Sequence, residues 1–131
     1  MQTGNSTKSV NELSPAQILV ELTSGYWISQ AIYVVAKLGI ADLLKDGAKS
    51  CDELAQIADV HAQSLVRVMR TLASVGIFTE VDTGRFALTP LAEPLQASVA
   101  DSIRAWAIMM GEESYRAERT LVHRQDRQAG L

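Results

Sequence analysis

Few side chains in this sequence carry chemistry, and their spacing limits what they can do. Cys51 stands at the start of a predicted helix, where the helix dipole lowers a thiol pKa, but Asp52 and Glu53 adjoin it and oppose that effect. No histidine is near it in sequence, so Cys51 reads as a buried or half-buried thiol. His61 falls in a turn and reads as a polar cap, while His123 lies in an aperiodic stretch. Glu112 and Glu113 are adjacent, so on a helix they point about 100° apart and do not form an acid/base pair. Two scattered histidines and one cysteine supply no structural zinc site. The glycines fall at 4, 25, 39, 47, 76, 84, 111 and 130, none closer than eight residues to the next. Neither a G-x-G-x-x-G turn nor a P-loop can be written with that spacing, so the chain holds no recognisable nucleotide or cofactor cradle. Trp106, Met109 and Met110 are the remaining group of interest: Met beside Trp lines an apolar ligand wall, or packs a core.

These residues need elements to position them. A chain of 131 residues is one domain, and 47% hydrophobic against 21% charged residues is enough to bury a core. Aromatics are only 5%, which predicts an aliphatic core. The longest apolar run, Ala31 to Ala36, is far short of the roughly 18 residues of a membrane helix. The polar first residues lack a signal-peptide segment. A single cysteine excludes an intrachain disulfide and fits a reducing cytoplasm.

Residues 1–14 read as a flexible tail. Ser14 and Pro15 then supply a cap and a first-turn proline for a helix running to Leu38. Only Glu21 and Lys37 are charged along it, so it is apolar on nearly every side and must be buried or packed on a partner. In so short a chain, Tyr26, Trp27, Ile28, Ile32, Tyr33 and Val34 are therefore candidates for an oligomer contact. Gly39 breaks the helix, Ile40–Leu44 forms a short second one, and Ser50 caps a third with Glu53 in the capping-box position. Leu54, Ile57 and Ala58 are its predicted inward stripe. After the turn Asp59–His61, a helix from Ala62 to Val75 places Leu65, Val68, Met69 and Leu72 on one face and ends at Gly76. The period then changes to two: Phe78–Val81 and Arg85–Leu88 flank Asp82-Thr83-Gly84 as a hairpin. A helical turn follows Pro90, and a long helix starts at about Asp101.

Three helices and a two-stranded wing make a winged helix-turn-helix, here mainly α with extra N- and C-terminal helices. Such a fold raises DNA binding, with His61, Gln63, Ser64, Arg67 and Arg70 on the recognition helix and Arg85 on the wing. Between residues 48 and 95, however, four basic residues face six acidic ones, so little is available to neutralise phosphates. A winged-helix DNA-binding transcriptional regulator stands as the alternative function.

Three strings carry a more specific resemblance: LTSGYWISQAIYVVAKLGIADLL (22–44), SCDELAQIADVHAQSLVRVMRTLASVGIF (50–78) and GRFALTPLAEPL (84–95). In that order they resemble the N-terminal dimerisation domain of the S-adenosylmethionine-dependent O-methyltransferases of plant caffeate and bacterial natural-product type. The resemblance covers residues 15–117. It implies that the winged helix intertwines with a second copy rather than reading DNA, and that Trp106, Met109 and Met110 touch the acceptor substrate. It implies no membrane and no nucleic-acid partner, and a homodimer or pairing with a full-length methyltransferase. The family's cofactor domain should begin soon after residue 117. Instead the last residues, 118–131, are aperiodic and rich in arginine, with neither His61 nor His123 matching the family's catalytic histidine. The chain is thus expected to be a truncation or frameshift product that binds no S-adenosylmethionine and is inactive alone.

Overall fold

The computed structural model describes residues 12–113, together with Arg116 and Thr120. The expected tail up to residue 11 and most of the arginine-rich end lie outside the described residues.

Helix α1 (Pro15–Leu38) starts on a complete capping box: Ser14 Oγ accepts from Gln17 N at 3.2 Å, and Gln17 Oε1 accepts from Ser14 N at 2.9 Å. It stops at Gly39, whose φ of 70° is the left-handed conformation that a Cβ disfavours. Helix α2 (Ile40–Leu43) follows at once, then strand β1 (Lys49–Ser50). Ser50 Oγ caps helix α3 (Cys51–Ala58) by accepting from Glu53 N at 3.1 Å. Helix α4 (Ala62–Ser74) leads into β2 (Phe78–Asp82) and β3 (Arg85–Leu88). A 3-10 turn (Pro90–Leu95) precedes the last described helix, α5, over 104–113.

The sheet has three antiparallel strands in the order β1-β3-β2. A two-stranded wing is therefore an incomplete expectation: Lys49 pairs with Phe86 and Ser50 with Arg85. Two residues carry no alternation pattern, which hides β1 from a reading of periodicity. A bulge between Glu80 and Asp82 shifts the β2–β3 register before the turn at Gly84.

The core gathers Val35, Ile40, Leu54, Met69 and Leu72 around Phe78 and Phe86. It is mostly aliphatic, yet both phenylalanines of the chain sit at its centre. Three local expectations change. Ile57 is exposed, and the buried stripe of α3 is Cys51, Leu54 and Ala55. Helix α5 begins at 104 rather than about Asp101; just ahead of it Ile103 N donates to Pro94 O at 2.8 Å and Ser102 Oγ accepts from Arg104 N at 3.2 Å. His61 occupies the N-cap of α4 but caps no backbone N–H; its Nδ1 lies 3.2 Å from Ser64 Oγ.

Candidate functional site

The most unusual surface lies on α1. From Ile28 onward the helix belongs to the core: Ala31, Val35 and Ala36 are buried, with Ile28 and Ile32 packed against them. Before Ile28 almost everything is exposed, including Leu19 (63%), Val20, Leu22 (70%), Tyr26 and Trp27 (72%). At 1.5 Å per residue, positions 15–27 project roughly 20 Å of apolar helix. Monomeric proteins seldom expose contiguous apolar surface on this scale.

The six residues singled out from the sequence are thus divided. Tyr26 and Trp27 lie on the exposed half, Ile28 and Ile32 against the core, and Val34 is half-buried. Tyr33 turns to α5, where its hydroxyl donates to Glu112 Oε2 at 3.4 Å. Leu19, Val20 and Leu22 escaped the sequence reading, which weighted the aromatic cluster; their sequence signal was only an apolar stretch without charge. As one helix of 24 residues, α1 is also long and apolar enough to cross a membrane by length and composition only, a test that the core helix of a soluble protein passes as well.

A second surface is the would-be DNA face. Arg70 on α4 grips Glu80 of β2 through Nε (3.2 Å) and Nη2 (3.0 Å), and Glu80 Oε2 also accepts from Gly84 N at 2.7 Å. The guanidinium, then this backbone N–H, hold the Glu80 carboxyl below its ordinary range. Arg85 Nη1 pairs with Asp82 Oδ2 at 2.9 Å. Two of the bases that would meet phosphate are thereby occupied by the wing's own carboxylates. Next to them a cavity of about 260 Å³ is lined by Ser50, Cys51, Arg70 and Gly84, among others. Cys51 itself is buried, its Sγ 3.9 Å from Ala62 O, and burial followed by Asp52 pushes the thiol pKa up. That is an unreactive environment.

On α5 the side chains of Trp106, Met109 and Met110 share one exposed face. Glu112 and Glu113 go separate ways, the first to Lys37 and the second to Arg116 Nη1 at 2.9 Å. Lys37 holds the Glu112 carboxyl below its usual range, and Glu112 in turn raises Lys37. Among the described residues no three metal-ligating side chains cluster.

A family model for the O-methyltransferase dimerisation domain matches residues 20–98. The chain belongs to that family. Phenazine O-methyltransferase PhzM of Lysobacter antibioticus is 49% identical over 108 residues, which are 82% of this chain and 32% of that protein. The crystal structure of LaPhzM matches with a TM-score of 0.76 at 46% identity, covering 91% of this chain and 35% of that one. An O-methyltransferase from neocarzinostatin biosynthesis (NcsB1), solved with S-adenosyl-L-homocysteine and 1,4-dihydroxy-2-naphthoic acid, matches with a TM-score of 0.60 at 36% identity. That match covers 63% of this chain and 25% of the other. The chain thus spans about a third of the length of the curated relative and of LaPhzM.

Among the described residues no strand leads through a glycine turn into a helix N-terminus. That is the arrangement by which Rossmann-type dinucleotide sites hold their phosphates. Here β1 runs straight into α3 at Ser50–Cys51 without a glycine, and β2 turns back into β3 through Thr83–Gly84.

Proposed function

We propose that this chain is the homodimerisation module of a small-molecule O-methyltransferase, and that the exposed half of α1 is buried against a second copy. The observation that carries this reading is a single capped helix whose one half lies in its own core while the other half exposes Leu19, Val20, Leu22 and Trp27. Tyr26, Trp27, Ile28, Ile32, Tyr33 and Val34 extend the contact surface from Leu19 and Leu22 toward the core, with Tyr33 shared with α5. Burying a large apolar side chain contributes roughly 1.5–3 kcal/mol, so a few of them across a twofold axis outweigh the cost of association. Gly25 supports the same reading. It weakens a helix by about 1 kcal/mol relative to alanine, yet among the described residues a Cβ there would meet nothing within 4 Å.

Light scattering at micromolar concentration tests this, with an expected mass of twice the 14.2 kDa chain. A monomer at that concentration, or binding to lipid vesicles in place of self-association, would overturn it. Within such an enzyme, Trp106, Met109 and Met110 form part of the acceptor wall. This polypeptide of 131 residues is expected to give no calorimetric signal with S-adenosylmethionine, and measurable binding would overturn that expectation. The regulator alternative is disfavoured by the pairing of Arg70 with Glu80 and of Arg85 with Asp82, both carboxylates of the wing. Fluorescence anisotropy with duplex DNA is expected to stay flat at low salt.

A further inference from the structure

Helix α5 has two faces, and the inner one meets α1 at three points. Arg104, Ala107, Ile108 and Gly111 follow i, i+3, i+4, i+7 spacing, with Ala107 and Gly111 buried and Ile108 packed against the core. Three contacts join this face to one stripe of α1 formed by Tyr33, Ala36 and Lys37. At the first, Arg104 Nε donates to Ala36 O at 2.8 Å, a second donor to a carbonyl at the C-terminal end of α1 that also accepts from Gly39 N at 3.2 Å. At the third, Glu112 pairs with Lys37 and accepts from the Tyr33 hydroxyl.

Between them lies Gly111. A Cβ built there would sit 2.6 Å from Tyr33 Cβ and closer still to the ring atoms Cγ and Cδ1. Real Cβ atoms do not approach so near, and the obstacle is the root of the Tyr33 side chain rather than a flexible tip. Relief therefore requires one helix to move. A glycine inside a helix is locally unfavourable, so at this position the close approach of two helices explains what propensity alone would penalise.

We propose that Gly111 is the steric key of a three-point clamp that fixes α5 on α1. The clamp sets the direction of the Trp106–Met109–Met110 face from the same helix that carries the bare apolar half. It stands on contacts within one chain and holds whether or not the chain dimerises.

Amide hydrogen exchange tests it on the intact chain. Gly111→Ala is expected to speed exchange over residues 107–113 by about tenfold or more, while amides of α4 around Met69 and Leu72 keep their protection. In the Tyr33→Ala/Gly111→Ala double variant, the added effect of the alanine at 111 should shrink, because the ring it strikes is gone. Arg104→Met, which creates no clash, should speed exchange of the same segment by a smaller factor, on the order of threefold. The mass by light scattering should match that of the unaltered chain in Gly111→Ala and Arg104→Met, which leave the contact surface of α1 unaltered. Unchanged exchange in Gly111→Ala or Arg104→Met, strictly additive effects in the double variant, loss of α4 protection in step with α5, or a changed mass in either of those two variants would each overturn the clamp.

Discussion

The two halves of α1 are built from the same kinds of residue and end in opposite surroundings. Val35 and Ala36 are almost wholly buried, whereas Leu19, Leu22 and Trp27 stand in the open. Helical continuity links them: one capping box at Ser14 and one left-handed glycine at Gly39 bound the whole 24-residue rod. Apolar composition therefore establishes that a segment wants to be covered, not which chain covers it. The two helix-interior glycines make the same contrast. Gly111 has a steric partner in its own chain, and Gly25 has none among the described residues.

This contrast can be broken at several points. The largest effect is expected in the core: Phe86→Ala should lower unfolding free energy by about 3–5 kcal/mol in denaturant titration, at every protein concentration. Loss that depends on concentration would show that the core too is completed by a second copy. The Leu22→Asp/Trp27→Asp pair should act in the opposite sense. It is expected to weaken self-association by on the order of 1,000-fold in sedimentation equilibrium while the far-ultraviolet circular dichroism of the chain is kept. Unfolding of that variant would mean the exposed half is integral to the monomer.

A smaller change is expected from Ser14→Ala, about 1 kcal/mol, felt as faster amide exchange over the first turns of α1 and not in α4. The smallest belongs to the wing. The folded Glu80 carboxyl titrates below its unfolded range. Its contribution is therefore present above that unfolded range and is lost as the pH falls through the folded value. Glu80→Gln should flatten the acid limb of the stability profile, and an unchanged acid limb would show that the Arg70 pair is worth little in solution.

Much of the fold was legible because local rules act within a few residues. Ser14-Pro15, Gly39, Ser50 with Glu53, Gly76 and Asp82-Thr83-Gly84 mark boundaries by caps and turns whose chemistry is short-range. The stripe Leu65, Met69, Leu72 was equally plain. Long-range pairing was not. Strand β1 is two residues long, and its partner, Phe86 and Arg85, lies more than thirty residues away. The inward position of Cys51 instead of Ile57 follows from how α3 rotates against α4, which no local pattern encodes.

For the site, the sequence by itself determined that α1 is one apolar helix, that residues 48–95 carry four basic against six acidic residues, and that the glycine spacing writes no G-x-G-x-x-G turn. Those facts rest on composition and spacing. Tertiary structure decided where the core ends along α1, that Arg70 and Arg85 are taken by Glu80 and Asp82, and that Gly111 lies on Tyr33. Each depends on two segments meeting from distant parts of the chain, and only a folded backbone sets that distance.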